Sequence, residues 1–173
     1  PSARLVEDDA PSDPTAPGFE PARLSLAGGN LTITSTKGIQ YLKPSGTGPT
    51  SPNTNSQINA LGVGVSVGGT VLRLETTLLK PNFPSTAQSQ QARLWFGLNE
   101  DNYVKLVLIN AGNGTVFVQL LREVNAFSDN TTANALTTGA MAIANGTPIT
   151  LVLEIDSATG TMRGSYQAGS GSL

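Results

Sequence analysis

The sequence predicts an all-β protein, two antiparallel sheets packed face to face, and three observations carry that prediction. Short apolar runs of strand length recur down the chain, separated by turn residues. Inside those runs apolar and polar residues alternate with period two, as they do in a strand with one buried face. No segment carries the 3.6-residue apolar stripe of an amphipathic helix. Residues 133–144 contain helix formers, but their Thr and Gly content and the missing stripe argue against one.

Each element follows from the chain in order. Residues 1–20, rich in Pro, Asp and Ser, read as an irregular leading segment, and residues 21–173 as the β domain. Strands at 24–26 and 31–34 flank Gly28, Gly29 and Asn30, a hairpin turn. A short strand at 39–42 precedes a long polar loop at 43–57. Strands at 63–67 and 71–79 are joined through Gly68 and Gly69, and a loop rich in Pro and Gln spans 80–91. The strongest strand patterns are 92–98, 103–109, 116–124 and 149–155. Between the first three lie Asn99 to Asn102 and Ala111 to Gly114, both rich in turn residues.

Composition narrows the function. The 173 residues fit one domain, long enough to bury a core without disulfides or metals. Charged residues make up 13 % of the chain, against a usual value of about 25 %, so the surface is mostly neutral and polar. The net charge is −2, and the ten basic residues are scattered singly, as at Arg4, Arg23, Lys37, Lys43 and Arg73. Nucleic acid and anionic membrane surfaces both need a clustered basic patch, so neither is expected as a partner. Without Cys or His the chain has no Ser–His–Asp or Cys–His catalysis and no thiolate or imidazole metal site. Any metal would be a hard, oxygen-bound ion such as calcium. No apolar run approaches the ~20 residues that span a membrane, and no signal peptide is seen. The abrupt start at Pro1 fits a mature or excised piece of a longer polypeptide.

Alternation divides the strands into two faces. Leu94, Phe96 and Leu98 oppose Arg93, Trp95 and Asn99; Val104, Leu106 and Leu108 oppose Tyr103, Lys105 and Val107. Val118 and Leu120 oppose Phe117, Gln119, Leu121 and Glu123, and Leu72 and Leu74 oppose Arg73, Glu75 and Thr77. The apolar set is expected to form the core between the sheets. The other set mixes aromatics with charges and amides, and function is expected there.

The hairpin at 92–108 resembles a known family. Leu94-Trp95-Phe96-Gly97-Leu98 and Asp101-Asn102-Tyr103-Val104-Lys105 are similar to a paired-strand motif of concanavalin A-like (laminin G-like) jelly-roll domains in large bacterial secreted and surface proteins. Residues 31–34, 59–65 and 151–156 also look like their counterparts. The resemblance runs from about Gly18 onward, but only the central hairpin is specific. It implies a jelly-roll of two curved antiparallel sheets, an extracellular location, and a non-catalytic role in glycan binding or adhesion. The chain departs from the family in carrying Arg93 where Gly is usual. It also stops at Leu173 where further closing strands are expected, and a neighbouring subunit could supply such a strand.

A sugar site needs a flat aromatic surface flanked by hydrogen-bonding groups. Trp95, the one Trp, and Tyr103 are the expected stacking surface, with Lys105, Gln119, Glu123 and Arg73 bonding hydroxyls. The bland alternative, the ordinary solvated side of a sheet, explains the same residues. Glu154 and Asp156 alternate like the carboxylates of jelly-roll glucanases, but no acidic residue continues the series, so an enzyme is not expected. Asn99 and Asp101 offer oxygens for calcium and equally satisfy a plain turn. Asn30, Asn113, Asn130 and Asn145 open Asn-x-Ser/Thr triplets, which a chain rich in Thr and Asn produces by chance. The second reading is a structural bead in a surface fibre or multidomain adhesin, with no small ligand.

Overall fold

The computed structural model describes residues 3–6, 21–34, 60–65, 67–69, 71–79, 81–83, 90–99, 102–125, 127–128 and 135–171. Thirteen strands lie among them, with one 3-10 turn at Pro21–Arg23 and every strand pairing antiparallel. The strands are β1 (Ala3–Val6), β2 (Leu24–Ala27), β3 (Asn30–Ile33), β4 (Ala60–Val63), β5 (Val71–Leu78), β6 (Gln91–Asn99) and β7 (Asn102–Gly112). They continue with β8 (Thr115–Val124), β9 (Phe127–Ser128), β10 (Ala135–Thr137), β11 (Met141–Ala142), β12 (Ile149–Asp156) and β13 (Thr161–Ala168).

Two sheets make the body. The larger is ordered β10-β8-β7-β6, with β9 and β11 also on β8; the smaller is ordered β13-β12-β5. Leu106, Leu108, Val116, Val118 and Leu120 from the larger sheet meet Ile149, Leu151 and Leu153 from the smaller in one buried cluster. Leu74, Leu78, Leu94, Phe96, Met162 and Tyr166 close around it. Each fully buried aliphatic side chain contributes about 1.5–3 kcal/mol, so this layer is what holds the sheets together. The architecture is therefore all-β and sandwich-like, and the apolar set read from alternation lines its interior, except for Leu98, which is 87 % exposed.

Local chemistry explains the tight turns. The β7–β8 hairpin turns on Asn113 and Gly114, with φ of 53° and 73°, the positive values that a two-residue hairpin of this kind requires. The β2–β3 hairpin turns on Gly28 and Gly29 in the same way, with φ of 57° and 76°.

Several expectations need correction. The leading segment 1–20 is not wholly irregular: Ala3–Val6 is a strand, paired with Ala60–Val63. Its partner lies more than fifty positions away, and no local pattern announces such a pairing. That partner also starts three residues before the strand expected at 63–67. Thr161–Ala168, where no strand is expected from the sequence, is a full strand against β12. Its inward series is Met162, Gly164 and Tyr166, and the central glycine breaks the apolar signal. Within 133–144 stand two short strands, β10 and β11, on β8. The strand expected at 39–42 and the loop at 43–57 fall outside the described residues.

Candidate functional site

The outward face of the larger sheet is a grid fixed by register. Trp95 pairs with Lys105, and Lys105 with Leu121. Tyr103 lies between Gly97 and Glu123, and Val107 between Arg93 and Gln119. Five of the six expected binding residues, Trp95, Tyr103, Lys105, Gln119 and Glu123, thus share one face.

Arg73 does not join them. It projects from the outward face of the smaller sheet, on the far side of the sandwich, where it pairs with Glu75 and reaches Glu154 at 3.9 Å. Alternation correctly sets Arg73 away from the core, but it is silent on which sheet β5 joins. Glu154 stands in register between Arg73 and Arg163. Asp156 is occupied in the β12–β13 turn, its Oδ1 accepting from the amides of Ala158 at 2.9 Å and Thr159 at 3.3 Å. A hydrogen bond from the Thr159 side chain, helped by those from the two amides, holds its carboxyl below the usual carboxylate range.

The expected binding face is closed along its centre. Tyr103 is 3 % exposed, Lys105 and Glu123 are each 1 %, and Val107 is 0 %. A charged side chain that deep is costly unless compensated, and here compensation is visible. The Tyr103 hydroxyl donates to Glu123 Oε2 at 2.6 Å. Lys105 Nζ donates to Gln91 Oε1 at 3.1 Å and lies 6.0 Å from the Tyr103 ring centroid. Burial pushes the Lys105 ammonium down to about 8; Arg93 adds repulsion and Glu123 opposes the shift. Burial likewise lowers Arg93, against the pull of Tyr103 and Glu123. Tyr103, Lys105 and Glu123 therefore form a buried ionisable cluster, with the half-buried Arg93 beside it.

Access remains at the flanks. On β6, Gln91 is exposed while Arg93 and Trp95 are half-buried; on β8, Gln119 is half-buried and donates through Nε2 to Thr137 Oγ1 at 3.2 Å. The reachable strip is Gln91, Arg93 and Trp95, every second residue of one strand. Neither Gln91 nor Arg93 was among the expected contacts, although counting back by twos from Trp95 reaches both. The buried Tyr103, Lys105 and Glu123 support that strip from below: Lys105 holds the Gln91 carboxamide, and Glu123 offsets the charges of Lys105 and Arg93.

For calcium, Asp101 lies outside the described residues and so does the side chain of Asn99. Among the described residues no three acidic side chains gather as a metal would need. Likewise, no described helix is long and apolar enough to cross a membrane.

The fold and this face together define an all-β antiparallel sandwich with a buried ionisable cluster beneath a half-open aromatic strip. Comparison with family models, curated proteins and solved structures finds no match to this chain.

Proposed function

We propose that this protein is a non-catalytic carbohydrate-binding or adhesion module of the concanavalin A-like jelly-roll type, working outside the cell. The observation that carries the reading is the β6 strip. A half-buried indole stands beside a guanidinium and an exposed carboxamide, which is the pairing a pyranose ring asks for. Trp95 stacks on the apolar face of a sugar, while Arg93 and Gln91 bond its hydroxyls. Tyr103, Lys105 and Glu123 are positioning residues. The half-buried Gln119 contributes from the opposite flank. The non-catalytic role is supported by the use of Glu154 in an ion pair and of Asp156 in a turn.

A glycan array, with and without calcium, tests this. A reproducible ligand should lose at least tenfold in affinity with Trp95→Ala and severalfold with Gln91→Ala, by calorimetric titration. Arg73→Ala, on the far sheet, should leave the affinity unchanged. Equal binding by wild type and Trp95→Ala would remove the assigned strip.

A structural role in assembly is favoured by one separate feature. In the β2–β3 hairpin, Leu24 pairs with Ile33 and Leu26 with Leu31, so four apolar side chains share one face. Leu26 is 76 % exposed there, and exposed apolar surface of this kind marks contact sites.

A further inference from the structure

A groove opens at one end of the sandwich, away from the β6 strip. Phe96, Val104 and Arg122 form the last inward-facing row of the larger sheet, and Ile155 and Met162 the last of the smaller. Between these rows lies a space of about 310 Å³, with Val67, Asp156, Ser157 and Thr161 at its rim. Phe96, Val104, Ile155 and Met162 also pack on the core, so the groove is the mouth of the hydrophobic layer itself.

Beside it β6 ends in a bulge. Leu94 and Phe96 pack on the core, but Leu98, the unpaired residue of the bulge between Gly97 and Asn99, is 87 % exposed. Val124, at the matching end of β8, is 37 % exposed. An exposed leucine thus lies two residues along β6 from Phe96, which lines the groove. The rim charges are opposite and stand on opposite sheets, Arg122 on the larger and Asp156 on the smaller.

We propose that this end is a self-association surface, in which two copies meet about a two-fold axis and each inserts Leu98 into the other's groove. A two-fold contact must be self-complementary, and this end carries knob, hole, cation and anion together. The contact is confined to one end of a small domain, so it belongs to the small, reversible class of interface. The surface is distinct from the sugar strip, and the proposal stands independently of the carbohydrate reading.

Sedimentation velocity of the full chain over a wide concentration range tests it. Wild type should shift from monomer towards dimer as concentration rises. Leu98→Asp should stay monomeric throughout, with an unchanged melting temperature because Leu98 carries almost no packing. Leu98→Met should retain the dimer, and Arg122→Glu should weaken it. Leu26→Ser in the β2–β3 hairpin should leave it intact. Two results would overturn the proposal: a wild type monomeric at every concentration, or a dimer that survives Leu98→Asp. If wild type is monomeric and Leu98→Asp loses glycan binding, the groove belongs to a sugar.

Discussion

Lys105 is the most informative single residue. It is buried and held at about 8 rather than its ordinary 10.5, chiefly by desolvation. Between those two values the unfolded chain carries a proton that the folded chain has shed. Unfolding then takes up a proton, so rising pH favours the fold across this window. Stability should climb by a few kcal/mol from about pH 8 to pH 10.5, as read by urea denaturation. Lys105→Met should flatten that rise. Its neighbour Tyr103 gives a second test. Tyr103→Phe removes a hydrogen bond to a buried carboxylate and should cost roughly 1.5–3 kcal/mol, with Glu123→Gln offsetting part of the loss in the double variant.

At the scale of strands, two glycines set how closely backbones and sheets approach, for different reasons. A Cβ on Gly97 would strike the Asn102 carbonyl oxygen and come within 2.6 Å of Tyr103 Cα, both fixed by the bulged end of the β6–β7 ladder. A Cβ on Gly164 would meet Leu106 Cδ1 at 2.7 Å, the tip of a side chain that can turn. Gly97→Ala should therefore cost more than Gly164→Ala, roughly 1–3 kcal/mol against about 1 kcal/mol, by thermal denaturation. The Gly97 substitution should also move the amide resonances of Asn102 and Tyr103. Because Tyr103 anchors Glu123, damage at this turn should reach the buried cluster.

For the whole molecule, the sandwich rests on the layer shared by both sheets. Leu153 is 0 % exposed at its centre, flanked in register by Leu74 and Gly164. Leu153→Ala should destabilise by about 2–5 kcal/mol, among the largest losses of any single truncation. Arg73→Ala breaks only exposed ion pairs and should change stability by less than about 1 kcal/mol. The contrast separates the two outward faces. One is a solvated ion-pair lattice, and the other conceals a buried cluster whose charges must be compensated.

The sequence by itself determined the five long strands β5, β6, β7, β8 and β12 and the side on which most of their residues fall. Alternation in 92–98, 103–109 and 116–124 assigned Leu106 and Leu120 to the core and Trp95, Lys105 and Glu123 to the other face. It could do so because side-chain direction in a strand is a local property of the backbone. Only the tertiary structure decided which strands are neighbours. Hence it placed Arg73 across the molecule from Trp95, and paired Ala3–Val6 with a strand far along the chain. It also showed that Tyr103, Lys105 and Glu123 are buried, leaving Gln91 and Arg93 as the reachable partners of Trp95. Leu98 belongs to the apolar series by sequence and to the surface by structure, where the bulge between Gly97 and Asn99 interrupts the alternation. Strand pairing, depth and coverage are set by contacts between distant segments, and no period along the chain encodes them.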